Sequence, residues 1–414
     1  MKPGDKVKIT LKDNSIKEGI IMPSKDDTLI LKLNSGYNLG INKTKIKETK
    51  QLKKEPMKKQ DKINFIQDKT LKRVTILHTG GTISSKVDYE TGAVSSKFKP
   101  EEIITMFPEL KRIVNLDSRL ISNMFSDDMN FSHYNILAKE IIKEIKKGVN
   151  GIIITHGTDT LHYTSAALSF ILEHINIPIL LVGAQRSSDR GSSDASLNLI
   201  AACNFIKETN FVGVAICMHA NTNDNVCAIL HGCKVRKMHT SRRDAFRSIN
   251  TDSIATVDEY GKIVYQRDYS KKHDQKLNLK LFNENLKVGI IKIHTHMSKE
   301  QFEVYKNFDG LVIEGTGLGH TPENVLEEIK KLKIPIVMSS QCIYGRINMN
   351  IYSKGRHLQE LNVLGNFCDM TPETSFIKLS WLISNHKDNL KHLFETNLRG
   401  EINPKTVFNE DFQK

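Results

Sequence analysis

No stretch of this 414-residue sequence approaches the roughly 20 consecutive apolar residues that a membrane-spanning helix needs. Its start, MKPGDKVKIT, lacks the apolar centre of a secretory signal. Both absences point to a soluble, cytoplasmic protein. Only six cysteines are present, at 203, 217, 227, 233, 342 and 368, and no two form a C-x-x-C pair. That spacing gives little support to a zinc knuckle or a thioredoxin-type centre and leaves buried, reduced thiols as the expectation. No G-x-x-x-x-G-K-[ST] phosphate loop occurs, so ATP chemistry is not expected of this chain. Internal repeats and low-complexity tracts are missing as well.

What is present is unevenly placed. The formal net charge is +13. Residues 1–72 hold 18 Lys or Arg against 9 Asp or Glu, whereas the remaining 342 hold 42 against 38. A basic appendage on a near-neutral body suits an anionic partner, such as RNA or an acidic protein face. On charge alone, a solubilising surface in a lysine-rich chain is the plainer reading.

Residues 1–50 alternate in short bursts, KVKITLK, SIKEGIIM, TLILKL and NLGINKTKI, divided by the turn-forming KDNS, SKDD and NSG. The pattern predicts a small all-β, barrel-like domain of SH3 or Tudor type, suited to docking. Residues 51–72 are charged, lack apolar periodicity and read as a linker. Strands then alternate with helices. RVTILHT, GIIIT, PILLVG and VGVAICM are predicted strands; FSHYNILAKEIIKEIKKG, TDTLHYTSAALSFILEHI and SDASLNLIAACNFIKE are predicted helices. After a lapse at KKHDQKLNLKLFNEN come the strands KVGIIKI, DGLVIEG and IPIVMSS and the helix PENVLEEIKKL. The last helix, TPETSFIKLSWLISNH, opens with Thr371 as N-cap and Pro372 at its first position. This order predicts an α/β body of two lobes, 73–270 and 285–414, built on doubly wound parallel sheet with helices on both faces.

Open α/β sheets place ligands at the carboxyl ends of their strands. Two strands here end in turns of small polar residues, RVTILHT-GGTISS and GIIIT-HGTDT. Gly80 and Gly81 allow a sharp turn and a close backbone approach, and Thr82 would present a hydroxyl there. Thr158 and Asp159 fall at a helix N-terminus, where a negative charge is favoured. Taken singly, Thr158 or Asp159 reads first as an N-cap and GGT as a tight turn. Together they argue for a reaction site. A threonine hydroxyl needs a base before it can attack, and a lysine held by a carboxylate can serve. Spacing does not choose that lysine in a chain with so many.

Other stretches carry less. GTGLGH at 315–320 has G-x-G-x-G rather than dinucleotide spacing and reads as a loop at a ligand's edge. HTH at 294–296 lacks a third ligand at sensible spacing, so no metal site is expected. SRRDAFRS at 241–248 concentrates three arginines, by default in a solvated surface loop and otherwise at a partner or oligomer contact.

ILHTGGTISS together with IIITHGTDTLHYTSAAL resembles the paired signature motifs of the L-asparaginase family, over about residues 73–400. More narrowly, the β module at 1–48, SRRDAFRS, VIEGTGLGHTP, SSQCIYGRINMNIYS and DMTPETSFIKLSW resemble the D-subunit family of archaeal glutamyl-tRNA(Gln) amidotransferases, over essentially the whole chain. The resemblance implies two α/β domains with the site at the first domain's strand ends. It implies Thr82 as the first catalytic threonine, Thr158 and Asp159 as the second threonine and its aspartate, and Lys237 as the catalytic lysine. Tyr89 matches a lid tyrosine that orients the first threonine. Ser126 and Asp127 match contacts to the substrate's carboxylate and amino group. Two positions depart from bacterial asparaginases: Asp127 stands where Gln is usual, and Leu318 lies near where some carry Asn.

The implied chemistry is hydrolysis of the side-chain amide of glutamine or asparagine through an acyl-enzyme. The implied partners are the amidotransferase E-subunit, which would amidate Glu-tRNA(Gln) using ATP and Mg, and a second copy of this chain, in a homodimer within a heterotetramer. No cofactor is expected in this chain itself. The alternatives are a free-standing cytoplasmic L-asparaginase with an accessory β domain, or a nucleic-acid-binding scaffold with a dead hydrolase body. The presence of Thr82, Thr158, Asp159 and Lys237 speaks against the last.

Overall fold

The computed structural model describes residues 2–24, 27–33, 38–52, 68–81, 83, 85–87, 94–96, 106–188 and 193–406. The N-terminal bursts form strands β1 (Lys6–Leu11), β2 (Ile16–Met22), β3 (Thr28–Leu33), β4 (Asn38–Asn42) and β5 (Ile46–Gln51), in one antiparallel sheet ordered β4-β3-β2-β1-β5. Alternate residues supply its small core: Val7, Ile9, Ile21, Leu31 and Ile41. The burst NLGINKTKI is not one strand. Asn42 accepts the Thr44 amide at 2.9 Å and starts a 3-10 turn, Lys43–Lys45, that sends the chain into β5. Most of the expected linker lies outside the described residues.

An eight-stranded sheet forms the first lobe. It contains β6 (Arg73–Gly80), β9 (Asn115–Met124), β10 (Gly151–Thr155), β12 (Pro178–Val182), β13 (Gly213–His219), β14 (Val226–His231), β17 (Ala255–Asp258) and β18 (Ile263–Tyr265). Their order is β18-β17-β14-β13-β12-β10-β6-β9. The short pieces β7 (Ser85–Val87) with β8 (Val94–Ser96), β11 (Leu172–Glu173) with β19 (Asn278–Leu279), and β15 (Val235–Lys237) with β16 (Phe246–Ser248) pair as separate ribbons. From β13 to β9 the strands run parallel, while β14, β17 and β18 are antiparallel. The sheet is therefore mixed at one edge. The turn from β13 to β14 is too short for the crossover a parallel neighbour requires.

GIIIT is wholly buried because both faces of the sheet are covered. Ile152 and Ile154 face one apolar layer and Ile153 faces the other. Helices α1 (Phe131–Lys146), α2 (Leu161–Ile171) and α3 (Ala195–Glu208) supply these layers. The second lobe is a parallel sheet of β20 (Val288–Lys292), β21 (Gly310–Gly315) and β22 (Ile336–Ser340). Around it lie α4 (Leu326–Lys331), α5 (Ser353–Glu360), α6 (Pro372–Asn385) and α7 (Leu390–Glu395). The first apolar layer continues into this lobe through Val312, Val337, Ile377 and Trp381, so α2 and α6 share a core across the lobe boundary. No helix among the described residues is long and apolar enough to cross a membrane. All six cysteines are free thiols; five are buried and Cys342 is exposed.

Helix α6 begins as its sequence predicts, with Pro372 in its first turn and the Thr371 hydroxyl accepting the Thr374 amide at 3.3 Å. Thr371→Ala should cost about 1 kcal/mol in urea unfolding; an unchanged midpoint would show that the cap contributes nothing.

Candidate active site

Thr158 stands where several strand ends converge. After β10, His156 and Gly157 carry the chain to Thr158, and α2 begins at Leu161. The turn after β6 presses against this one. Gly81 has φ +81°, and a Cβ there would lie 2.4 Å from the Gly157 nitrogen. The turn after β12 closes another side, where a Cβ on Gly183 would lie 2.8 Å from Thr158 Cγ2. Asn198 donates to the Gly183 carbonyl at 3.1 Å, and buried Asp194 accepts the amides of Gln185 and Arg186 at 3.0 and 3.1 Å. From the end of β9, the 3-10 turn Ser126–Asp128 joins the group, its Ser126 carbonyl accepting the Thr160 hydroxyl.

His156 is fully buried. Its Nδ1 lies 2.7 Å from the Gly157 carbonyl, so that nitrogen carries the proton, and Nε2 accepts the Thr164 hydroxyl at 2.9 Å. The ring thereby fixes the peptide that precedes Thr158.

The capping alternative fails at α2. Its N-cap is Thr160, which makes no side-chain capping bond. The Thr158 hydroxyl instead accepts from the Lys237 ammonium, with Nζ–Oγ1 at 2.8 Å. The same ammonium donates to Asp159 Oδ1 at 2.8 Å. Thr158 is 7% exposed, and the side chains of Lys237 and Asp159 are 10% and 69% exposed. One cation therefore joins a buried hydroxyl to a carboxylate at the opening.

Lys237 is itself held from the second lobe. It ends β15, opposite Phe246 of β16. Its neighbour Arg236 reaches Glu373 of α6, with Nη2–Oε1 at 3.0 Å. Burial pushes the Glu373 carboxyl up, but His162 and Arg236 outweigh it and hold the group below the usual carboxylate range. Lys234 is buried, with Nζ 2.9 Å from Asp369 Oδ2 and 3.2 Å from the Glu401 carbonyl. Glu401 pairs in turn with Lys378 at 2.5 Å, both fully buried.

Of the sequence-predicted residues, Thr158, Asp159 and Lys237 are in direct hydrogen-bond contact. Ser126 is buried beside them and Asp127 is exposed on the same turn. Thr82 and Tyr89 lie outside the described residues. Leu318 lines a separate cavity of about 780 Å3 at the strand ends of the second lobe, in a loop closed by the Thr316 amide on the His320 carbonyl at 3.0 Å. The SRRDAFRS arginines do not simply face solvent. Arg242 and Arg247 clamp the buried Asp244 carboxylate, and Arg243 clamps Asp224. Among the described residues no three His, Cys, Asp or Glu could hold a metal. Arg236, Lys234, His156 and Gly183 escaped the sequence reading. Only the H-G dipeptide after GIIIT hinted at the last turn before Thr158.

Residues 73–271 match the family "Asparaginase, N-terminal", residues 287–394 the "Glutaminase/Asparaginase C-terminal domain", and residues 1–52 the "GatD N-terminal domain". The L-asparaginase of Thermococcus kodakarensis superposes with a TM-score of 0.72 at 29% identity, covering 80% of this chain and 100% of that one. L-asparaginase I of Vibrio cholerae gives 0.71 at 25% identity, covering 80% and 99%. Fold and sequence thus define an amidohydrolase of the asparaginase type. The glutamyl-tRNA(Gln) amidotransferase D-subunit of Pyrococcus horikoshii is 43% identical over 98% of this chain and 96% of its own. The D-subunit of Methanococcus maripaludis strain C5 is 43% identical over 97% and 98%. The chain belongs to the glutamyl-tRNA(Gln) amidotransferase D-subunit family.

Two tests follow from the geometry. Gly183→Ala should force the Thr158 methyl aside and lower kcat for amide hydrolysis at least about tenfold, since small misplacements of a reacting group are costly; an unchanged kcat would contradict the contact. The second concerns pH. Burial pushes the rings of His78 and His156 down to about 4 from the ordinary 6.5. Between those values the unfolded chain binds more protons than the folded one, so stability must fall as the pH drops from 6.5 to 4. The melting temperature should follow, with a shallower slope in His156→Gln; a flat profile across that window would contradict the assignment of neutral buried rings.

Proposed function

We propose that this chain hydrolyses the side-chain amide of glutamine or asparagine, and that Lys237 bridging Thr158 and Asp159 is the observation that carries the reading. Thr82 follows Gly81, whose backbone abuts Gly157. In the reaction the Thr82 hydroxyl oxygen bonds to the amide carbon, the carbon–nitrogen bond breaks, and the hydroxyl proton leaves with ammonia. Backbone N–H groups of the strand-end turns stabilise the oxyanion, a contribution of several kcal/mol in such sites. Water then attacks the acyl ester. Thr158 takes the proton from that water while passing its own to Lys237, which hands one of its protons to the Asp159 carboxylate; the relay then runs back and delivers a proton to Thr82 as the ester bond breaks, giving free acid and restored enzyme. Tyr89 orients Thr82, Ser126 takes the substrate's carboxylate, and the acidic Asp127 pairs with its ammonium.

The family further supports a destination for the ammonia. It would pass to a partner, the amidotransferase E-subunit, that activates the glutamate of Glu-tRNA(Gln) with ATP and Mg and amidates it. This chain contains no phosphate loop, which suits a division of labour. The lysine-rich β module, matched by the D-subunit family's own N-terminal domain, serves docking to the partner or beside the tRNA. The working assembly would be a homodimer of this chain within a heterotetramer.

Thr158→Val keeps the shape and removes the hydroxyl. Ammonia release should fall about a hundredfold or more, the size of a general acid–base contribution; a wild-type rate would sink the assignment. The partner reading is separate. Adding the E-subunit and Glu-tRNA(Gln) should stimulate ammonia release strongly, whereas full activity of the isolated chain would favour a free-standing asparaginase.

A further inference from the structure

A second cavity, of about 560 Å3, opens at the far end of the eight-stranded sheet. It lies where β13 begins and β14 ends, bounded by the connection through Arg267–Gln275 and the turn Leu398–Gly400. Thr158 follows the carboxyl end of β10, which runs parallel to β13 with β12 between them, so the length of β13 separates the two sites, roughly 20 Å at strand rise. Leu172, Ile175, Phe211, Val214 and Ile254 make its wall largely apolar.

On this largely apolar space borders an arginine, Arg267, that has no counter-ion in contact among the described residues. Arg267 is partly buried; its Nη1 donates to the Thr251 hydroxyl and its Nε to the Asp268 carbonyl at 3.3 Å. Among the described residues no carboxylate lies within ion-pair distance of it, and Asp252 and Asp268 act on it only from further away. Burial accordingly holds its pKa below the ordinary arginine range. Three of its five N–H bonds have no acceptor among the described residues. A half-buried guanidinium with N–H groups to spare favours an anion over the neutral carbonyls around it. Arg399, the cavity's other arginine, has its counter-ion in Glu173, with Nη2–Oε1 at 2.9 Å, and donates also to the Ser169 and Leu398 carbonyls at 3.1 and 3.0 Å. His273 adds a buried Nδ1 with no hydrogen-bond partner among the described residues, on a backbone clamped at both its N–H and its carbonyl by Asn176. Above them Phe211 and Tyr269 present two tilted rings 6.1 Å apart.

We propose that this cavity binds a small organic anion, its carboxylate or phosphate head on Arg267 and His273 and its apolar or aromatic body against Phe211 and Tyr269. The head satisfies the unpaired guanidinium bidentately. The body replaces water over the apolar wall. Asp268, exposed at the rim, excludes a more highly charged polyanion.

Benzoate and phenyl phosphate are the probes. The full-length chain is titrated with each by calorimetry, and by emission of its single tryptophan, Trp381, over whose ring the Arg399 guanidinium sits at 5.6 Å. Saturable binding of either probe is expected, with the preferred one reporting the head group. Arg267→Met should weaken it about tenfold or more, and Arg267→Lys should restore part of the loss. Ile175→Phe, which fills the cavity and keeps the cation, should weaken it too. No saturation with either probe by the wild-type chain up to about 10 mM would overturn the proposal. Unchanged affinity in folded Arg267→Met would overturn it as well, by placing the anion elsewhere on a basic protein.

Discussion

One ammonium organises the site. Lys237 reaches across from β15 to a hydroxyl and a carboxylate on the turn after β10, and those two strands belong to different sheets. The pairing therefore depends on where a three-residue strand sits. That position is set from the second lobe, through Glu373 on Arg236 and Asp369 on Lys234. The lobes also share one apolar layer between α2 and α6. Helix α2 starts three residues beyond Thr158, and α6 carries Glu373, so the packing that joins the lobes also aligns the two halves of the site.

The buried charges behind β15 make energetic sense only as positioning devices. Pairs such as Lys378–Glu401 and Lys234–Asp369 add little net stability, because desolvation consumes most of the attraction. Removing one partner, however, strands a buried charge at about 3–5 kcal/mol. An arrangement that is neutral when complete and costly when broken holds one geometry against its neighbours. The glycines do the same from the other side. Gly81 and Gly183 let backbone approach the turn before Thr158 and Thr158 itself more closely than any side chain would permit.

Much of this was legible in the chain. GIIIT and PILLV read as strands because both faces of a parallel sheet are covered. Helix α6 announced itself by Thr371 and Pro372. Strand β9 did not read as one, since its partly buried residues follow no two-residue alternation. The antiparallel edge after β13 has no counterpart in the sequence pattern, which assigns no strand between VGVAICM and the lapse at KKHDQKLNLKLFNEN, because β14, β17 and β18 are short and follow no helix. The two motif threonines were visible as small polar residues at strand ends. The lysine was not: it stands 79 residues from Thr158, in a charged three-residue strand whose place is decided by tertiary ion pairs rather than by local pattern. Family resemblance supplied what spacing withheld. The half-buried Arg267 likewise has no sequence signature, because its lack of a counter-ion among the described residues exists only in three dimensions.

On this account Lys237 and Thr158 act as one unit. The direct measurement is a double-mutant cycle on kcat/KM for ammonia release, using Lys237→Met, Thr158→Val and the pair. If the two groups share a single proton-transfer step, the double variant is no slower than the worse single variant. Losses that simply multiply would mean that the 2.8 Å hydrogen bond between them has no part in the chemistry.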